Sequence, residues 1–420
     1  MNKKTQYQPE RETAVGQTAL VLAGGGMTGI AYELGALHAL DCSLVDFNVN
    51  DFDIYVGTSA GATLSALLAN GFSPGMILHA VQGNHDKTRP FERQDLWSMD
   101  IGRFLRAGSR IPRRLWRAGQ RYVRDLRDSG LFGSLWVLMD LLPSSLYDGA
   151  GLEAYLQEFI TNLGGSNAFD DLEKELNIIA TRLDTGRRVV FNRESNVRIS
   201  QAVAASSAVP GLYKPVELNG AVYVDGAVRG NASLDVAVER GATTVICINP
   251  VVPFDGRTPS PSENNSESDR FAIGEASMQT IMAQAMRTRM HAGLHYHIKH
   301  LSAVYPDVDF YLIEPDKDDP VMSVPNLMRY GDRFEIARHA FVTVSRQLAQ
   351  DRAAWQAAWR RHQVQVRPEP SEAALAALAE EWPPAAADRR PKAAAQLSEA
   401  LTRLDDALDP PQEAVPLTSS

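Results

Sequence analysis

Asp53-Ile54-Tyr55-Val56-Gly57-Thr58-Ser59-Ala60-Gly61 is the stretch on which the reading of this chain turns. Asp53 to Val56 predicts a short buried strand. The run AGATLSALLAN, residues 60–70, predicts a helix closed by Gly71 in the left-handed position that ends helices. A Gly-x-Ser-x-Gly on such a strand-to-helix turn pushes the serine Oγ out of the chain, with Gly57 and Gly61 where side chains would clash. The free N–H groups of the helix start then favour negative charge developing beside the hydroxyl. Ser59 is therefore the candidate nucleophile.

Upstream, TALVLA (18–23) reads as an apolar strand running into Gly24-Gly25-Gly26-Met27-Thr28-Gly29, followed by a helical pattern from Ile30 to Leu40. Consecutive glycines at a helix start leave backbone N–H groups unshielded, which makes an anion cradle. Gly24-x-Gly26-x-x-Gly29 also fits a dinucleotide fingerprint, but there the next strand should end in a ribose-binding acid. Here it ends in GTSAG. An oxyanion hole built on Gly24, Gly25, Gly26 and Gly29 is the preferred reading, with nucleotide binding or a merely tight turn as alternatives. Downstream, Ala221-Val222-Tyr223-Val224-Asp225-Gly226-Ala227 is a strand that delivers Asp225 to its C-terminal end, where active-site residues of open α/β sheets gather. Alone, Asp225 could simply cap the turn.

In the order GGGMTG, GTSAG and DGA, these motifs resemble the patatin-like phospholipase family of lipolytic acyl hydrolases. Ala204-Ala205-Ser206-Ser207-Ala208-Val209-Pro210-Gly211 is similar to the family's Ala-Ser-x-Ala-x-Pro element, and the likeness spans residues 18–250. It implies a three-layer α/β fold with a central, mostly parallel sheet flanked by helices. It also implies a serine esterase acting on phospholipid, lysophospholipid or acylglycerol through a Ser59–Asp225 dyad, with Gly57, Gly61, Gly226 and Ala227 completing the motifs. No cofactor is implied. Thr28 departs from the pattern, since many members carry Arg or Lys there. The alternatives are a Ser-Asp-His esterase of the α/β-hydrolase kind and an inactive lipid-binding protein on the same fold.

A triad histidine would come from His291, His295, His297 or His300, all downstream of Asp225. His291 and His295 share a helical face at a spacing that also suits zinc, but no glutamate follows His291 as in His-Glu-x-x-His, and no cysteine is near. They are read as helix-surface or packing residues, and no metal ligand is assigned.

A chain of 420 residues, 44% hydrophobic, is long enough to bury a large core. A net charge of -9 gives no support to nucleic-acid binding, and Cys42 and Cys247 imply no disulfide framework. No segment reads as a signal peptide or a transmembrane helix, so a soluble cytoplasmic protein with peripheral membrane contact is expected. The organisation expected is a polar leader (1–17), a catalytic domain (18–350) containing a helical insertion (85–150) and a flexible loop (256–270), and a helical, then Pro/Ala-rich tail (351–420). A single helix is expected over 341–362. Within the insertion, nine arginines from Arg103 to Arg127 face only Asp125 and Asp128, with Phe104, Leu105, Leu115 and Trp116 interleaved. That pattern suits docking on an anionic bilayer and a lid over the site; a solvated helical cap is the alternative.

Overall fold

The computed structural model describes residues 16–96, 147–254, 278–322 and 330–367. The arginine stretch, the loop at 256–270 and most of the leader and tail lie outside them. In chain order, β1 (Gln17–Leu22), α1 (Gly26–Ser43), β2 (Leu44–Val45), β3 (Ile54–Thr58), α2 (Ala60–Ala69), α3 (Pro74–Gln82) and α4 (Arg93–Leu96) form the first part. Next come α5 (Ala150–Asn162), β4 (Glu175–Arg182), β5 (Arg187–Phe191), α6 (Ile199–Ser206), β6 (Val216–Leu218) and β7 (Ala221–Asp225). The remainder is α7 (Leu234–Glu239), β8 (Ala242–Ile248), α8 (Met278–Val304), β9 (Asp309–Ile313), α9 (Arg333–Gln350), α10 (Arg352–Trp359) and β10 (Gln365–Val366).

The main sheet has eight strands in the order β6-β7-β4-β3-β1-β8-β9, with β5 also on β4. β4, β3, β1, β8 and β9 are mutually parallel, β5 and β7 run antiparallel to β4, and β6 pairs antiparallel with β7. Alternate residues of the central strands face opposite layers, as the period of two demands. Leu20, Leu22, Tyr55, Ile246 and Ile248 pack under α1, α2, α6 and α9. Ala19, Val21, Ile54, Val56, Val245 and Cys247 pack against α7 and α8. Helices on both faces of a mostly parallel sheet make the three-layer α/β architecture.

Two features differ from the sequence expectation. The helix read over 341–362 is two helices meeting at Asp351, whose carbonyl accepts the N–H groups of Ala354 and Trp355. The apolar period continues across the junction, so the break leaves no trace in the pattern. Residues 351–367 also pack into the main core instead of beginning a tail. Trp359 is fully buried against Phe47 and Phe52, and β10 pairs antiparallel with β2. No single helix among the described residues is long and apolar enough to cross a membrane.

α1 meets α9 at Gly35, where an added Cβ would lie 2.1 Å from the carbonyl oxygen of Ala337 and 2.9 Å from the Cβ of Ala340. Backbone cannot yield there as a flexible side chain could. Gly35→Val is expected to lower stability by about 3 kcal/mol, read as a lower urea midpoint at unchanged slope.

Candidate active site

β4 organises the site. One edge of β4 is taken by β5, from Ile178↔Phe191 to Arg182↔Arg187. Along the other edge parallel β3 ends at Thr58↔Ile179, and antiparallel β7 ends at Asp225↔Ala180. Two strands running in opposite directions thus finish head to head on consecutive residues of a third. Ser59 follows one end and Gly226 the other. A Cβ on Gly226 would sit 2.5 Å from the carbonyl oxygen of Ile179 and 3.0 Å from Cγ2 of Thr58, so only glycine fits this junction.

Ser59 has φ 53° and ψ -115°, a positive φ that costs a non-glycine residue of order 1–3 kcal/mol. Leaving the strand this way removes its N–H from the ladder. The Ser206 hydroxyl accepts that N–H at 2.8 Å and donates to the carbonyl of Ile179 at 2.6 Å, bridging the gap between the strand ends. Glycines remove the clashes around the turn. A Cβ on Gly61 would lie 2.3 Å from the carbonyl oxygen of Leu22, and one on Gly57 would lie 2.5 Å from Cα of Ala62.

Ser59 Oγ donates to Asp225 Oδ2 at 2.6 Å, and both residues are buried. The other carboxylate oxygen, Oδ1, accepts the N–H of Ala227 at 2.8 Å. Burial pushes the Asp225 carboxyl up from 3.8 to about 6, against these two hydrogen bonds, which lower it. The result is a carboxyl whose affinity for a proton lies close to neutral pH.

The glycine turn lies against this pair. A Cβ on Gly24 would be 3.3 Å from Cβ of Ser59, and one on Gly29 would be 3.6 Å from Cβ of Ala60. Pro250 covers the turn, 2.6 Å from a Cβ placed on Gly25. The N–H of Gly24 is given to the carbonyl of Asn231 at 3.2 Å, and that of Gly29 to the carbonyl of Gly25 at 2.9 Å. Among the described residues no acceptor takes the N–H of Gly25. Gly26, at φ 60°, is the first residue of α1 and has no partner within the helix. Of the four glycines in the expected cradle, Gly24 and Gly29 hold the turn, and among the described residues no acceptor takes the N–H of Gly25 or Gly26. α1 begins at Gly26, four residues before the expected start, so the last four residues of the GGGMTG motif, Gly26 to Gly29, form its first turn. Thr28 is buried and donates to the carbonyl of Gly25 at 3.3 Å.

Ser59 and Gly26 form part of the wall of a cavity of about 1090 Å³, its open mouth included. The remaining wall is almost wholly apolar: Ile30 and Leu34 from α1, Leu64 and Leu67 from α2, Ile77 and Val81 from α3, Leu152 and Phe159 from α5, and Phe334 from α9. Such a space suits a hydrocarbon chain.

No histidine among the described residues bonds to Ser59 or Asp225. His291 and His295 instead meet Glu314, and His297 lies 3.8 Å from Asp235.

Residues 20–238 match the model of the patatin-like phospholipase family, more than half of the chain. The chain belongs to that family. A probable lipid hydrolase, 463L, of Invertebrate iridescent virus 6 is 22% identical over 52% of this chain and 63% of its own length. An uncharacterized protein of Escherichia coli strain K12, YjjU, is 27% identical over 56% of this chain and 52% of its own. The chain thus spans roughly half to two thirds of these relatives. Among solved structures, VipD from Legionella pneumophila aligns over 94% of this chain and 76% of its own at 15% identity, with a TM-score of 0.34.

Three further residues shape this patatin-like site without having been singled out from sequence. Ser206 lies within the Ala-Ser motif, yet its bridge depends on β3, β4 and α6 meeting. Asn231 and Asn249 hold each other at 2.8 Å and support the glycine turn through the carbonyl of Asn231. Replacing Ser206 by Ala leaves the N–H of Ser59 and the carbonyl of Ile179 buried without partners. The expected cost is about 1–3 kcal/mol in chemical denaturation, with hydrolytic rate falling because the turn loses its anchor.

Proposed function

We propose that this patatin-like protein is a lipid acyl hydrolase of the phospholipase A, lysophospholipase or acylglycerol lipase type, with Ser59 as nucleophile and Asp225 as base. The observation that carries this reading is the 2.6 Å contact between Ser59 Oγ and Asp225 Oδ2, placed at the wall of the apolar cavity. A serine hydroxyl needs an adjacent base, and here the carboxylate is in direct contact. Ser59 Oγ attacks the ester carbonyl carbon while its proton passes to Asp225. The oxygen that becomes negative is held by the N–H groups of Gly25 and Gly26. Collapse of the tetrahedral species expels the alcohol, which takes the proton from Asp225 and leaves an acyl ester on Ser59. Asp225 then takes a proton from water as the water attacks that ester, and returns it to Ser59 as the fatty acid leaves. A carboxyl titrating near neutral pH suits both directions of transfer.

Ser59→Ala and Asp225→Asn are each expected to lower kcat/KM on a short-chain ester about 10⁴-fold or more, with circular dichroism unchanged. Near-normal turnover in Asp225→Asn would remove the dyad. A fluorophosphonate probe is expected to label Ser59 in the native chain and nothing in Ser59→Ala; an unlabelled native chain would favour an inert lipid-binding pocket.

The base works only when ionised, and its carboxyl is raised to about 6. The rate is therefore expected to climb as pH rises through about 6 and to be lost below it. An acid limb near 4 would mean that Asp225 is not the titrating base.

We further propose that the enzyme meets its lipid at an anionic membrane through Arg103 to Arg127. Gln at Arg113, Arg114, Arg117 and Arg121 together is expected to weaken binding to phosphatidylserine vesicles while sparing a soluble ester, with added salt mimicking the effect. Equal vesicle binding in that variant would leave the stretch as a solvated cap.

A further inference from the structure

His291 and His295 stand one turn apart on α8, and Glu314 follows the last residue of β9. Both imidazoles aim Nε2 at the same carboxylate oxygen, Oε1 of Glu314, at 3.2 and 2.8 Å. All three donor atoms lie within 4.8 Å of one another. His291 is buried, the Glu314 side chain is only 19% exposed, and the His295 side chain is 48% exposed, leaving a path from solvent. Two neutral imidazoles and a carboxylate are a donor set that zinc favours, and tetrahedral zinc holds its donors about 3.3 Å apart. His291 stands at 3.2 Å from Oε1, close to that separation, and His295 at 2.8 Å is somewhat shorter. The second oxygen of Glu314 accepts from the Asn249 amide at 3.1 Å, which fixes the carboxylate as outer partners of metal ligands do.

Asn249 also joins this cluster to the catalytic end of the sheet. Its Oδ1 accepts the Asn231 amide at 2.8 Å, and the Asn231 carbonyl accepts the N–H of Gly24. One polar chain therefore runs from the two histidines through Glu314, Asn249 and Asn231 to the glycine turn.

We propose that His291, His295 and Glu314 form a site for a divalent transition-metal ion, zinc by donor preference, whose occupancy braces the glycine turn through Asn249 and Asn231. Three protein ligands leave a fourth position for water. The ion takes no part in the Ser59–Asp225 chemistry, so this inference stands apart from the proposed hydrolysis.

Calorimetric titration of the chelator-treated full chain with zinc chloride tests the site directly. One equivalent is expected to bind, with affinity falling at least about tenfold in His295→Ala and in Glu314→Gln. His295 is half exposed, so His295→Ala is the variant least able to disturb folding, and thermal unfolding without metal should match the native chain. Zinc should raise the Tm of the native chain and leave that of His295→Ala nearly unmoved, since an ion bound only to the folded state stabilises it. Native-like zinc affinity in His295→Ala, or no zinc uptake by the native chain, would overturn the proposal and leave a hydrogen-bonded His-His-Glu cluster.

Discussion

Everything chemical in this molecule depends on one break in a hydrogen-bond ladder. On a single edge of β4, Ile179 pairs with the end of β3 and Ala180 with the end of β7. No ordinary sheet places two oppositely directed strand ends on adjacent residues, because the polar groups at the gap lose their partners. Ser206 fills that gap from α6 with one hydroxyl that both donates and accepts. Gly226 lets the second strand turn away without striking Ile179. The distance between serine and aspartate is therefore set by backbone pairing, which is stiff, and side-chain rotamers play a lesser part.

Burial does opposing things at this junction. It keeps water from Asp225 and so raises its affinity for a proton, from 3.8 to about 6. That rise corresponds to about 3 kcal/mol by which the buried, ionised form is disfavoured. Hydrogen bonds from Ser59 and Ala227 offset part of the desolvation, each contributing about 1.5–3 kcal/mol to a charged acceptor. Unopposed desolvation would raise the carboxyl further, and more donors would bring it back toward the ordinary carboxylate range. The strained φ of Ser59 belongs to the same compromise, since it aims the hydroxyl at the carboxylate and is held in place by the surrounding ladder.

What the sequence made legible here was local. Ser59, Asp225 and the glycines are announced by short motifs, because turns with positive φ or close backbone contact admit few residue types. The alternation of apolar strands and helices pointed to a parallel α/β sheet, and the family resemblance implied its three layers. What stayed hidden depends on partners far apart in the chain. Nothing beside Glu314 in sequence marks it as the third member of a cluster with His291 and His295, because a His-Glu-x-x-His search looks along one helix and this carboxylate arrives from a neighbouring strand. The burial of Trp355 and Trp359 was equally unreadable, since their partners Tyr311, Phe47 and Phe52 lie 44 or more residues away. The break at Asp351 escaped for a third reason: apolar periodicity reports a face, and both helices present the same face to the same core.

The family match ends at residue 238, yet the site does not. Pro250 presses on the glycine turn, Asn249 supports it, and α9 supplies Phe334 and Ala337 to the cavity wall. α9 reaches that position only because Gly35 allows it to lie against α1 without an intervening side chain. α1 in turn begins at the glycine turn, and Gly26, Ile30 and Leu34 of its N-terminal half line the cavity, so the turn and this part of the wall belong to one helix end. A change that moves α9 therefore alters the cavity and the seating of the glycine turn together. The matched segment carries Ser59, Asp225 and the glycine turn. The residues beyond it help decide how firmly the turn is held and how wide the cavity is.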